Sequence, residues 1–133
     1  MNSVAKLKHL PWFEIAIALA LLGINGYAAF SDAYNLPNTW FTRDDAYYYY
    51  KVAQNISEGH GSTFDGINPT NGYHPLWMLV CVPIFALARF DLILPLRILI
   101  LVLAALRAAT SILLYHLLKD VIAKPIAMLG ALY

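Results

Sequence analysis

The chain has 133 residues, of which 60% are hydrophobic and 13% charged, with a formal net charge of +1 and a mean hydropathy of +0.59. That balance excludes a disordered tail, a collagen-like fibre and a nucleic-acid binder, since it offers neither a polar excess nor a basic footprint for phosphate backbones. A single cysteine, Cys81, excludes a disulfide framework and a four-cysteine zinc site.

The apolar residues are concentrated in runs, which points to a bilayer and to roughly three or four spanning helices of about 20 residues each. The first helix is expected over about 11–30, after Lys6 and Lys8, with Trp12 at its edge and Glu14, Asn25 and two glycines interrupting it. Lysines before an apolar run and a tryptophan at its border read as a cytoplasmic N-terminus with an interfacial anchor. The rival reading is a secretory signal peptide, with Gly26-Tyr27-Ala28 as a weak cleavage site. The run is long for a signal core, and further apolar segments follow it. Glu14 lies near the lysine end, where its carboxylate can reach lipid headgroups.

The loop 31–75 differs sharply in composition. It holds five of the eight acidic residues, six of the nine tyrosines and four of the seven glycines. Loops this long inside compact proteins are commonly functional or disordered, and the aromatic content argues against disorder. Within it, Asp44 to Glu58 reads as a helix: Ala46, Tyr49, Tyr50, Ala53 and Ile56 recur at three- and four-residue spacing, while Tyr47, Lys51, Gln54, Asn55 and Glu58 form the polar face. Thr42-Arg43-Asp44-Asp45 has capping-box spacing, and Gly59-His60-Gly61 supplies a stop. Such a helix suits a membrane surface. Asn55-Ile56-Ser57 matches the glycosylation sequon but falls in mid-helix.

Asp65-Gly66, Asn68-Pro69 and Asn71-Gly72 then mark turns. His74-Pro75-Leu76-Trp77 opens a second apolar run over 76–90, short and interrupted by Pro83, which reads as a thin span or a re-entrant segment. A third is expected over 93–118, and a fourth starts at 121 and runs to 133. If 76–90 crosses, Arg89 and Arg97 are cytoplasmic and Lys119 and Lys124 external; if it does not, the two pairs exchange sides. In both cases the loop 31–75 is external.

Several residues in this frame could do chemistry. Asp44 and Asp45 at a helix N-terminus are either stabilised there by the macrodipole or serve as a general base or metal-binding carboxylate. The four tyrosines Tyr47 to Tyr50 read as an interfacial belt, with one or two free to stack on a sugar. His74 is placed either to contact an anionic headgroup or to cap the following helix, whereas His60 reads as a loop residue. Arg107 sits in the middle of the third apolar segment, where a charge costs about 2.5 kcal/mol or more. It is expected to face a bundle interior or hydrated cavity, in a stripe continued by Thr110 and Ser111, either in a salt bridge to a helix outside this chain, since no acidic residue stands at that depth here, or in a functional role.

The succession from Asp44-Asp45-Ala46-Tyr47 through Asn55-Ile56-Ser57-Glu58-Gly59-His60-Gly61 to Asn68-Pro69-Thr70-Asn71-Gly72-Tyr73-His74-Pro75-Leu76-Trp77 resembles the first external loop of bacterial GT-C type membrane glycosyltransferases. Relatives in that class include protein O-mannosyltransferases and lipid A aminoarabinose transferases. The resemblance covers about residues 10–130 and implies an all-α, multi-pass transmembrane helical bundle whose external loop carries a juxtamembrane helix. It implies catalytic roles for Asp44 and Asp45, with Asp44 deprotonating the acceptor hydroxyl or, in some families, holding a divalent metal such as magnesium or manganese. It implies that His74 lies close to the lipid phosphate, beside which Arg43 as a loop cation and Tyr47 as a stacking ring are expected to bind substrate, and it makes 76–90 an outward-to-inward crossing.

The implied partners are the bilayer, a sugar donor on a polyprenyl phosphate, and a glycan, lipid or protein acceptor. The implied location is the plasma (inner) membrane, with the N-terminus cytoplasmic. Members of the class carry further membrane helices that complete the donor site, so the chain is expected to be the N-terminal part of such an enzyme. The alternative is a small non-catalytic membrane subunit whose external loop binds lipid or a partner protein.

Overall fold

The computed structural model describes residues 11–34, 36 and 45–132. Among these the chain is all-α, with five helices and one isolated β-bridge between Thr63 and Pro69. The helices are α1 (Trp12–Ala29), α2 (Asp45–Ser57), α3 (Pro75–Leu87), α4 (Leu94–Leu118) and α5 (Lys124–Ala131). α1 and α4 have 18 and 25 residues and are long and apolar enough to cross a membrane. At 1.5 Å per residue they extend about 27 and 37 Å, against a hydrocarbon core of about 30 Å. α3 has 13 residues, so its length is about 20 Å.

The helix ends follow local chemistry. Pro75 opens α3 because a first-turn residue needs no N–H. The helix stops at Leu87 rather than at residue 90: Ala88 N–H donates to Ile84 O at 3.0 Å, and Asp91 N–H to Ala88 O at 3.1 Å, which folds Arg89 and Phe90 into a turn. The expected start of the last helix at 121 is also displaced. Val121 and Ile122 N–H groups both close back onto Leu118 O at 2.9 Å, and α5 begins only at Lys124, with a proline in its first turn.

The chain divides into two compact units, formed by described residues of Met1–Asn25 with Leu103–Tyr133, and of Gly26–Val102. In the first, Tyr115, Ala127 and Ala131 form a small core against Phe13, Leu118 and Met128. The Phe13 and Tyr115 rings lie 4.6 Å apart. A Cβ added at Gly130 would stand 2.9 Å from Leu118 Cδ1, so glycine lets α5 approach this closely. Glu14 does not reach out to headgroups: its carboxylate lies 3.2 Å from His116 Nε2 and its side chain is only 16% exposed. Lys119 Nζ lies 2.7 Å from the other ring nitrogen of His116.

In the second unit α2 lies along α3. Tyr50, Val52 and Ala53 pack with Met78, Cys81 and Phe85, and Leu96 and Leu99 of α4 complete the cluster. Val52, Ala53, Cys81 and Leu99 have no exposed surface, and each large apolar side chain buried in this way contributes about 1.5–3 kcal/mol. A second cluster joins Ala29 and Leu36 to Ile100.

Candidate functional site

The site is built on α2 and on the turns that follow it. α2 ends in a Schellman motif: His60 N–H donates to Asn55 O at 2.9 Å and Gly59 N–H to Ile56 O at 3.1 Å. Gly59 stands at φ +86°, a conformation that penalises any Cβ. The chain then folds back onto α2 through Ser62–Tyr73. Thr70 N–H donates to Ser62 O at 2.8 Å, and the Ser62 hydroxyl lies 2.7 Å from the Tyr73 hydroxyl.

The apolar stripe of α2 faces inward as its spacing requires, with Tyr50 and Ala53 buried and Ala46, Tyr49 and Ile56 half-buried. Asn55 departs from its expected place on the polar face. It is 4% exposed, and its amide donates to Thr63 O at 2.8 Å and Phe64 O at 3.2 Å. The fold-back leaves these two carbonyls without helix or strand partners, and a carboxamide from α2 satisfies them both. A buried asparagine of this kind is closed to glycosylation.

The four consecutive tyrosines divide into separate tasks. Tyr48 hydrogen-bonds Thr70 and stacks on Phe64, ring centroids 5.6 Å apart. Tyr49 accepts from the His74 backbone N–H at 2.9 Å, and its ring lies parallel to the imidazole at 6.4 Å. Tyr50 is buried against Phe85; burial, followed by the nearby Cys81 and Tyr47, pushes its phenol up to about 12. Tyr47 remains exposed, edge-on to Tyr50 at 6.0 Å. The anchoring by Tyr48 and Tyr49 has no sequence signal beyond their presence, because the partners lie more than twenty residues away.

Asp45 is exposed in the first turn of α2. Asp44 and Arg43, the other two residues expected there, lie outside the described residues, as does the rest of the capping box. His74 occupies the N-cap of α3 by backbone conformation, but its side chain makes no capping hydrogen bond. Its ring is exposed above Tyr49, which discards side-chain capping as its role. Tyr49, which holds the His74 backbone, lies one helical turn along α2 from Asp45. Asp65 is occupied structurally: its carboxylate accepts from the backbone and side chain of Asn68 and the backbone of Ile67, contacts that hold it well below the usual carboxylate range.

Arg107 belongs to the other unit and takes no part in this site. It is exposed on α4, where the neighbouring Ala104 and Ala108 are buried. Thr110 is exposed too, with its hydroxyl donating to Leu106 O at 2.9 Å. Among the described residues no three metal-ligating side chains gather. Comparison with family models, curated proteins and solved structures finds no match for this chain.

Proposed function

We propose that the chain is the first membrane-embedded part of an integral membrane glycosyltransferase, which moves a sugar from a polyprenyl-phosphate donor to an acceptor hydroxyl at the external face. The observation that carries this reading is an exposed carboxylate, Asp45, at the start of an amphipathic helix and an exposed imidazole, His74, at the mouth of α3. Tyr49, on that helix, holds the His74 backbone, and both residues stand on the segment whose sequence resembles the GT-C first loop.

In this reading α1 and α4 cross the membrane and α2 and α3 lie at its external surface. Glu14 and His116 are 3.2 Å apart, which sets the start of α1 and the end of α4 at one depth. Two spans that meet in this way run in opposite directions, so the segment between them stays on one side. The short α3, packed along α2, fits a surface position better than the outward-to-inward crossing that the resemblance implies for 76–90. Arg89 and Arg97 are then external, while Lys119 and Lys124 are cytoplasmic.

The chemistry follows from the groups present. A carboxylate, Asp44 or Asp45, takes the proton of the acceptor hydroxyl as that oxygen attacks the sugar's anomeric carbon, and the bond to the lipid phosphate breaks on the opposite side. The departing phosphate needs hydrogen-bond donors or cations, and His74 and Arg43 are the loop residues suited to supply them. Among the described residues no three metal-ligating side chains gather beside Asp45. Sugar transfer is to be measured in membranes containing the protein and a polyprenyl-phosphate sugar. Asp44→Asn or Asp45→Asn is expected to lower the rate about 10²–10⁴-fold, the usual contribution of a positioned general base. Undiminished transfer by both variants would remove the catalytic assignment.

A further inference from the structure

α4 packs with one face and leaves another uncovered. In the first unit its buried residues, Ala104, Ala108 and Tyr115, recur at four- and seven-residue spacing and so share one side of the helix. A second stripe, Leu103, Arg107, Thr110, Leu114 and Leu117, repeats at intervals of four, three, four and three residues, and all five are exposed. That alternation is the heptad spacing with which helices interlock knobs into holes, in membranes as in water.

Arg107 is costly on such a face until something answers its charge. α4 runs from Leu94 to Leu118, which puts Arg107 one residue past the midpoint. The middle of a hydrocarbon core lies about 15 Å from either headgroup layer, further than an arginine side chain reaches. A guanidinium does not escape by losing its proton. Among the described residues Arg107 forms no ion pair. The carboxylate of Glu14, in the same unit, is taken by His116 at 3.2 Å. His116 stands nine residues beyond Arg107 on α4, and that spacing is about 14 Å along the helix.

We infer that this stripe is the docking face for a membrane-spanning helix from outside these 133 residues, one that carries an aspartate or glutamate at mid-depth. Arg107 offers that carboxylate a fork of N–H donors, while Leu103, Leu114 and Leu117 interlock with the apolar side chains around it. Charge complementarity selects this occupant. A lipid phosphate does not come to this depth. A second copy of the chain would bring a second guanidinium and no free acid, because Glu14 is the single acidic residue of α1, α3 and α4 together. One polar residue in a leucine seam also fixes the register and identity of its partner. The inference rests on α4 crossing the membrane, not on sugar transfer.

The test is association, in phosphatidylcholine vesicles, between the labelled chain and a leucine–alanine membrane helix of about 20 residues, read by Förster transfer. This host helix carries either glutamate or leucine at its centre. The glutamate host is expected to bind about three- to thirtyfold more tightly, the range of one interhelical polar contact in lipid. Arg107→Leu should abolish that preference while helicity by circular dichroism stays at the wild-type value. Moving the glutamate two turns along the host, about 11 Å, should abolish it too. Equal binding of the two hosts, or a preference that survives Arg107→Leu, would overturn the inference. Stronger transfer between two copies of the chain than to the glutamate host would assign the stripe to self-association and overturn it as well. Arg89→Cys and Lys119→Cys, each in a Cys81→Ser background and labelled in intact cells by an impermeant maleimide, separate this inference from the crossing beneath it. Labelling on opposite sides with no preference for glutamate removes the partner and keeps the crossing, whereas labelling on one side removes both.

Discussion

α2 and α4 treat their polar residues in opposite ways. α2 buries Asn55 and uses it, whereas α4 leaves Arg107 and Thr110 exposed and buries apolar residues, Leu99, Ile100, Ala104 and Ala108 among them. The difference lies in what each helix packs against. α2 is covered by a folded-back segment whose carbonyls need donors, and a buried carboxamide that meets them costs little, whereas two bare carbonyls cost several kcal/mol. The packed residues of α4 sit in apolar clusters that hold no unsatisfied polar group for a side chain to meet, Leu96 and Leu99 with α2 and α3 and Tyr115 with Phe13 and α5, and the polar residues are left off them. A polar residue on a helix therefore does not announce its own side; the unsatisfied groups of its neighbours decide.

The sharpest way to break this contrast is to remove the donor on α2. Asn55→Leu should cost about 1–3 kcal/mol in thermal unfolding in detergent, because the buried Thr63 carbonyl and the partly buried Phe64 carbonyl lose their partner. Thr110→Ala on α4 should stay within about 0.5 kcal/mol of wild type, as surface changes do. Equal effects of the two would erase the distinction. Hydrogen exchange adds a local readout, with protection lost over 62–70 in the Asn55 variant and unchanged along α4.

A smaller effect is expected from Tyr50, which couples α2 to α3. Its phenol titrates near 10 when unfolded and near 12 when folded. Below pH 10 both states hold the proton and the packing is intact. Between pH 10 and 12 the unfolded chain releases the proton first, so stability falls, by an amount on the order of 2 kcal/mol. Tyr50→Phe should flatten that part of the pH profile, and a profile unchanged by the substitution would show that the phenol is not held in the α2–α3 core. The smallest effect belongs to the Glu14–His116 contact, which is partly exposed on the histidine side. Glu14→Gln should cost no more than about 1 kcal/mol at neutral pH; a loss of several would make this contact a main support of the α1–α4 pairing.

Much of the architecture is legible in the residues. Run length marks α1 and α4, three- and four-residue spacing marks α2 to within one residue at each end, and the Gly59-His60-Gly61 stop becomes a Schellman cap. The turn dipeptide at Asp65-Gly66 becomes a carboxylate-centred turn, with Gly66 at φ +81°. The pairings made at long range are not legible. Tyr48 with Thr70, Tyr49 with His74 and Glu14 with His116 join residues whose local contexts carry no trace of one another. The start of α5 is hidden for a simpler reason: hydrophobicity extends through Val121 and Ile122, but the carbonyl of Leu118 captures both of their N–H groups. Of the candidate site, Asp45, Tyr47 and His74 are placed around α2 and the mouth of α3, Arg107 stands apart, and Asp44 and Arg43 lie outside the described residues.

The central claim is that α1 and α4 cross in opposite directions and hold α2 and α3 on the external face. Cysteine accessibility tests it directly, because the chain has one cysteine and that one is buried. In a Cys81→Ser background, Arg89→Cys and Lys119→Cys are expressed separately and intact cells are treated with a membrane-impermeant maleimide. The account predicts that Arg89→Cys labels without permeabilisation and that Lys119→Cys labels only after it. The reverse pattern, or labelling of both from the same side, would contradict it.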